Sequence, residues 1–360
     1  MQHVVIIGAG IIGAALASVL SHKSVRVTVL DAGAVGQKAT GASFGWINAS
    51  FHLNDHHFRL RNEGIAAWKR LEAAAGPLPI AWRGALWWEE QGAEFDAFHT
   101  GLQALGYDSE VLDQNAFAAR APAVAHAPDR ALRLPQEAAA ESGDLARTLL
   151  ADAAKRGAQV FTGVEVLGID TVGGKVSAVR TVQGSIFADT VVVAAGVGTA
   201  DLLKPLGVNL PMLTRPGVSL LTHSLPPLLD HVMVAPGQEF RQLPDGRLMA
   251  PTSANHQADE SDAVTEPLGD LAQQTLARLH HWLPQVDIAP QSIALALRPV
   301  PEDGLPVVGP AGPDGLYVSV MHSGITLAAI TAELATSEIA GGDAQQLLAP
   351  YRFDPARFSA

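Results

Sequence analysis

The sequence predicts an α/β fold in which a doubly wound, largely parallel-sheet domain is interleaved with a smaller α+β domain built on an antiparallel sheet. Three observations point to it. Near residue 1, a short apolar strand runs into a glycine-rich turn and a helix, and a second unit of the same kind lies near residue 324. Between them, strand–helix alternation gives way twice, at residues 78–140 and 211–295, to the spacing of antiparallel strands. The first domain is therefore expected to be discontinuous, formed by residues 1–77, 141–210 and 296–360, with the other two stretches making the second.

Composition narrows the function. Of 360 residues, 48% are hydrophobic and 17% charged, a profile that supports a sizeable core. A formal net charge of -12 argues against nucleic acid as a partner, which needs a basic surface to displace counterions. Cysteine is absent, which excludes disulfides, thiolate nucleophiles, Cys-ligated metals and any S-linked cofactor. No basic leader precedes the first strand. The apolar run over residues 190–200 is too short to span a bilayer and is broken by Gly196 and Gly198. A cytoplasmic location is expected, with peripheral association to the inner membrane leaving no trace in such a sequence.

The first unit starts with an apolar strand at residues 4–7, which reads as buried on both faces, followed by Gly8-Ala9-Gly10-Ile11-Ile12-Gly13 and a helix over residues 14–20. A second strand over residues 25–30 ends at Asp31-Ala32. This is the dinucleotide fingerprint in its proper setting. Gly8 permits the tight turn, Gly10 lets the backbone approach a pyrophosphate, and Gly13 lets the helix lie close to the strands. The helix start offers N–H groups and a positive dipole end to phosphate. Asp31 is suited to a ribose diol and would repel a 2'-phosphate, which disfavours NADP. The motif alone does not choose between FAD and NAD.

The next segment favours FAD. A second helix and strand would be usual in a plain NAD domain, but residues 36–49 are small, polar and glycine-rich. Such a loop suits a long cofactor lying extended beneath it. Thr40 and Ser43 supply hydroxyls, and Ala42 and Gly45 permit close approach. Trp46 and Asn48 follow and face either the substrate or the core.

Downstream, the spacing predicts a helix over residues 55–75, a strand over 80–88, a helix over 95–105 and a connection over 118–135. A helix over 144–156 leads into a strand over 157–161, a hairpin over 164–169 and 176–182, and a buried strand over 190–196. That strand ends in the small residues Ala194-Ala195-Gly196, where a cofactor could pass close to the backbone. Antiparallel strands are expected over 211–222, 232–236 and 240–249, with a hairpin at Pro244-Asp245-Gly246, and a helix over 265–283. His52, His56 and His57 cluster, but Asp55 alone does not complete a metal-ligand set, so no metal site is expected.

The final unit comprises Leu297-Arg298-Pro299, Gly304-Leu305-Pro306-Val307-Val308-Gly309, a strand over 315–321, and His322-Ser323-Gly324 opening a helix over 325–339. Its dipole end calls for a partly negative ligand group. With the N-terminal fingerprint and Ala194-Ala195-Gly196, these motifs fall in the order and spacing of the D-amino-acid oxidase superfamily, which the sequence resembles over almost its whole length. The nearest kin are similar to glycine oxidase, sarcosine oxidase, D-amino-acid dehydrogenase and the flavin subunits of opine and hydroxyproline dehydrogenases.

The resemblance implies a Rossmann-like FAD-binding domain interleaved with an antiparallel-sheet substrate domain. It also implies an enzyme that oxidises the C–N bond of an amino acid or secondary amine to an imine by hydride transfer to flavin N5. Gly8, Ala9, Gly10, Ile12, Gly13, Asp31 and Ala32 would hold the ADP half, with Val166, Ala195 and Gly196 beside it. Thr40, Ala42, Ser43 and Gly45 would line pyrophosphate and flavin, and Gly324, Ile325 and Thr326 would meet the pyrimidine edge. Arg298 would pair with a substrate carboxylate, which its planar fork suits. The alternative is a structural ion pair with Glu302 or Asp303. His322 is a candidate for touching flavin or moving a proton. The chain departs from several relatives in having Ser323 where they carry a base, and none of its tyrosines matches the oxidase tyrosines. No histidine stands in the first flavin loop, so the FAD is expected to be noncovalent. Oxygen or an electron carrier would receive the electrons. The alternatives are a flavin subunit of a hetero-oligomeric amino-acid or opine dehydrogenase, whose partner chains would receive the electrons, and an NAD-dependent dehydrogenase; the chain is a candidate for a homo- or hetero-oligomer.

Overall fold

The computed structural model describes residues 1–254, 259–343 and 345–358. Its centre is a six-stranded sheet in the spatial order Val307–Pro310, Leu316–Val320, Thr190–Val193, His3–Ile7, Arg26–Asp31 and Gln159–Thr162. All neighbours run parallel except the first pair. His3–Ile7 is buried along its whole length, as its unbroken Val-Val-Ile-Ile run requires for a strand covered on both faces. The helix Ile11–Leu20 packs on one side between Ser142–Lys155 and the C-terminal helix Gly324–Ile339. A three-stranded meander, Val166–Val172, Lys175–Thr181 and Gly184–Phe187, covers the other side.

An eight-stranded sheet stands beside this layer. Its order is Pro290–Leu297, Pro216–Ser224, Arg247–Pro251, Gln238–Gln242, Val232–Ala235, Ala85–Trp87, Arg130–Leu134 and Glu110–Asp113. The strands come from two separate chain segments, joined where Ala85–Trp87 pairs parallel with Val232–Ala235. One face packs on Gln114–Arg120 and Leu268–Trp282 through Phe117, Phe240, Leu276 and Trp282. The other shares the main core with the first helices.

Two expectations need correcting. Residues 80–88 form two strands, Ile80–Ala81 and Ala85–Trp87, in different sheets. The break falls at Gly84, whose φ of +83° turns the chain where a Cβ would meet the Leu134 carbonyl oxygen at 2.8 Å. Residues 118–135 are more than a connection, since Arg130–Leu134 is an inner strand. Arg130–Leu134 has no clean alternation to announce it, since Ala131 and Leu132 are adjacent and both buried, and its neighbours are rich in Ala and Pro.

The long helix Asp55–Ala75 lies on Gly324–Ile339. They approach closely at Gly64, where a Cβ would fall 2.6 Å from the carbonyl oxygen of Thr326. Gly64→Ala is expected to force the helices apart and cost about 1–3 kcal/mol, measurable by urea unfolding. An unchanged midpoint would mean that the contact yields freely.

Candidate cofactor and substrate site

The glycine-rich turn is built by contact. A Cβ at Gly8, where φ is +115°, would lie 2.3 Å from the Ala194 carbonyl oxygen, and one at Gly13 would lie 1.9 Å from that of Gly8. Only glycine lets the helix Ile11–Leu20 press so near the first strand and the Ala194-Ala195-Gly196 corner. Asp31 is fixed from two directions, Oδ2 accepting from the Ala9 N–H and Oδ1 from the Gly33 N–H, both at 2.7 Å. Ala32 follows it at the surface. The next turn brings Val164 N–H onto the Asp31 carbonyl at 2.9 Å, which sets Val166 beside this end of the sheet.

Two helix starts converge here. At Gly324, the first residue of the C-terminal helix, a Cβ would lie 3.3 Å from the side chain of Ile12. Among the described residues, neither Gly10 nor Ser323 caps its helix with a side chain. Thr40 reaches across instead, its Oγ1 accepting from the Ile11 N–H at 3.1 Å, which leaves its own proton for a ligand oxygen. Two helix starts, each with a positive dipole end and first-turn N–H groups, thus lie side by side. Ala42 and Ser43 continue the loop from Thr40, and the Ser43 hydroxyl accepts from Gly45 N–H at 3.1 Å. Gly45 needs its freedom: φ is +80° and a Cβ would lie 2.2 Å from the Ala140 carbonyl oxygen.

The segment after this loop is held by buried charges that sequence reasoning did not single out. Arg61, on Asp55–Ala75, is buried and donates to the Asn48 carbonyl at 3.1 Å, to Asn48 Oδ1 at 2.5 Å and to Ser323 Oγ at 2.6 Å. It ties the first loop to the start of the C-terminal helix. Thr326 adds a second tie, its Oγ1 accepting from the Asn48 N–H at 3.2 Å. On the opposite side Glu137 is completely buried and accepts from Trp46 Nε1 at 2.9 Å, Ser50 Oγ at 2.6 Å and Tyr107 OH at 2.7 Å. Tyr107 in turn accepts from Ala49 N–H at 3.2 Å. The Trp46 indole is packed inside, edge-on to Phe51. Arg241 fastens the eight-stranded sheet to the loop, donating to the Phe44 carbonyl at 2.6 Å and to Glu141 at 2.6 Å. A cation on the buried stripe His57, Arg61, Gly64, Trp68 and Leu71 was the available signal for Arg61.

His322 and Ser323 form the turn into the last helix. Ser323 is left-handed at φ +55°, and its hydroxyl lies 3.3 Å from His322 Nδ1. Ile325 is buried, and its carbonyl accepts from Trp68 Nε1 at 2.8 Å. Arg298 stands just past the strand Pro290–Leu297, half-buried. It donates to the carbonyls of Pro216 at 3.1 Å and Asp259 at 3.0 Å and meets Asp259 Oδ2 at 3.4 Å. Its acidic neighbour is thus Asp259, because Asp303 is engaged by Arg357. The histidines near residue 55 serve the backbone: His52 Nδ1 donates to the Ala49 carbonyl, and His57 accepts from Leu53 N–H.

The residues fit FAD: two helix starts lie side by side, glycines let the first helix press close to the strand before it, Thr40 stands at one helix start, and Asp31 is held oriented at the end of the second strand. Comparison with known proteins gives the same class. Residues 3–338 match the family of FAD dependent oxidoreductases, and the chain belongs to it. The protein is therefore an FAD-dependent enzyme, and the NAD reading falls away.

The chain is 27% identical to a glycine oxidase of Pseudomonas aeruginosa over 97% of its length and 98% of that protein. It is 30% identical to a D-amino acid dehydrogenase of Rhizobium johnstonii over 67% of its length and 59% of that protein. The crystal structure of a glycine oxidase from Geobacillus kaustophilus superposes with a TM-score of 0.85 at 24% identity, covering 98% of this chain and 99% of that one, and shows the shared fold. Among the described residues, no helix is long and apolar enough to cross a membrane.

Burial pushes the Glu137 carboxyl up to about 7 from 4.5, against the pull of its donors on Ser50, Tyr107 and Trp46. Between those values the folded chain holds a proton that the unfolded chain has released, so this group's contribution falls as pH rises through that window and is level above it. The stability advantage of the natural protein over Glu137→Gln should therefore shrink between pH 4.5 and 7, by about 1.4 kcal/mol per pH unit at most. Parallel urea titrations check this, and a pH-independent difference would refute it.

Proposed function

We propose that this enzyme oxidises the C–N bond of a small amino acid or carboxylate-bearing secondary amine to an imine. FAD bound in the cleft supplies the two-electron acceptor. The chain's own part is to bind and orient. The start of Gly324–Ile339 presents N–H groups and a positive dipole end, which favour a ligand gaining negative charge. Asn48, locked by Arg61, holds the opposite wall. His322, at the turn into that helix and 3.3 Å from the Ser323 hydroxyl, is the candidate to meet flavin or to hold a proton.

The observation behind the substrate class is Arg298. Its side chain is only 16% exposed and meets Asp259 at 3.4 Å, well beyond a good charge-assisted bond. The same Nη2 also donates to the carbonyls of Pro216 and Asp259, and Nε reaches the Arg215 carbonyl at 3.4 Å. A substrate carboxylate can offer two short bonds in place of that one long contact. Its place at the end of a strand of the antiparallel sheet suits this role, as do relatives named for glycine and D-amino acid oxidation.

Anaerobic bleaching of the bound flavin by a panel of amino acids, N-methyl amino acids, opines and hydroxy acids tests the reaction, and no response to any amine would end this reading. On a bleaching substrate, Arg298→Ala is expected to raise KM by the equivalent of about 2–5 kcal/mol. Unchanged kinetics would remove Arg298 from the site.

A second reading, a flavin subunit of a larger assembly, is favoured by one surface. Leu167, Val172 and Phe187 of the meander, with Val182 in its last turn, stand 53–77% exposed, an unusual concentration of apolar groups in solvent. Sedimentation of the purified protein should then show association that Phe187→Glu weakens. A monomer at all concentrations, active alone, would argue against it.

A further inference from the structure

A cavity of about 390 Å³ opens between the strand Ile80–Ala81 and the hairpin that joins Gln238–Gln242 to Arg247–Pro251. It lies away from Arg298. That residue follows Leu297, which pairs with Pro216, whereas the hairpin meets the other end of the same strand, where Arg247 pairs with Ser224. The two ends of Pro216–Ser224 are roughly 25 Å apart. Small-molecule sites usually enclose about 300–1,000 Å³ and have mostly apolar walls with a few placed polar groups. This cavity has both properties.

Leu78, Ile80, Leu229 and Leu243 supply apolar wall. An ion pair is set into it. The Arg241 side chain, 4% exposed, donates from Nη1 to Glu141 Oε1 at 2.6 Å, and its Nε and Nη2 are taken by the carbonyls of Phe44 and Ala140. The Glu141 side chain is 22% exposed, and among the described residues its Oε2 accepts no hydrogen bond. A carboxylate oxygen so placed is open to a donor, and a charged donor makes the stronger bond. Arg83 and Asp230, both exposed, line the same cavity. Burial, and after it the nearby Arg133, push the His231 imidazole down, so that lining residue adds no charge at neutral pH. The lining thus carries two cations and two anions. A ligand with a net charge gains at one and loses at another. A ligand with separated opposite charges and an apolar body meets the whole set.

We propose that this cavity is a second amino-acid site, which takes a zwitterionic amino acid with an apolar side chain. The ammonium group donates to Glu141 Oε2, the carboxylate turns toward Arg83, and the side chain lies on the leucine and isoleucine wall. The site is separate from the one that oxidises substrate, and it does not depend on the role of Arg298.

The probe is α-methylleucine, which carries both charges and an apolar side chain. It has no hydrogen on its α carbon, so no imine can form from it by loss of hydride. Equilibrium dialysis of the holoprotein measures its Kd for the natural chain, Glu141→Gln, Ala81→Trp and Arg298→Ala. Glu141→Gln keeps an acceptor for Arg241 and removes the charge that the ammonium needs. It should weaken binding by about ten-fold or more, the scale of one charge-assisted hydrogen bond. Ala81→Trp adds bulk to the cavity from an exposed strand position and should weaken binding similarly. Arg298→Ala should bind the probe as the natural chain does. 4-Methylpentanoate and isoamylamine, each with one of the two charges, should bind at least ten-fold more weakly than the probe.

A Kd for Glu141→Gln within two-fold of the natural value overturns the proposal. So does probe binding that Arg298→Ala abolishes, which would place the probe in the substrate site, and so does a natural chain that retains no probe at millimolar concentration. Where Glu141→Gln does not fold, Ala81→Trp decides by the same two-fold limit.

Discussion

Arg61 is the constraint on which the rest of the site depends. A guanidinium removed from water is costly unless its donors are met and a counter-charge lies near. Here the Asn48 carbonyl and amide and the Ser323 hydroxyl meet the donors, and the buried Glu137 offsets the charge. Because these partners belong to two loops far apart in sequence, satisfying the arginine fixes the spacing between them. Glu137 does the same from the other side for Trp46, Ser50 and Tyr107. The segment 46–50 is gripped between a buried guanidinium and a buried carboxyl group, and it inherits their rigidity.

The second organising principle is close approach. Helix dipoles act over short range, so two helix starts serve one ligand only when both come near it. Gly8 and Gly13 allow this for the first helix, and Gly64 and Gly324 for the last. Bulk is excluded where backbone must touch backbone, and polar side chains such as Thr40 and Thr326 stitch the gaps.

These two principles differ in how far the sequence betrays them. The fingerprint from Gly8 to Asp31 is local: strand, turn, helix and strand are contiguous, and each glycine has a meaning that a spacing rule can express. The C-terminal unit at Gly324 was legible for the same reason. The eight-stranded sheet was legible only in outline, because Ala85–Trp87 finds its parallel partner at Val232–Ala235 and no periodicity within three residues can announce it. Arg61 and Glu137 were hidden by distance too. Arg61 on the apolar stripe of its helix was a local hint, but its partner Ser323 lies 262 positions away. Arg298 was visible as a candidate, yet its neighbour Asp259 was not among the acids weighed for it.

The placement of the last long helix has a consequence for biogenesis. Gly324–Ile339 lies against both the first helix and the long helix Asp55–Ala75. On a ribosome, those two elements emerge long before the helix that covers them, and the strand Ala85–Trp87 waits similarly for Val232–Ala235. Contacts of such long sequence separation delay folding and leave apolar faces open meanwhile. The nascent chain therefore cannot bring its two helix starts together until Gly324–Ile339 has emerged, and the faces that this helix covers stay open until then.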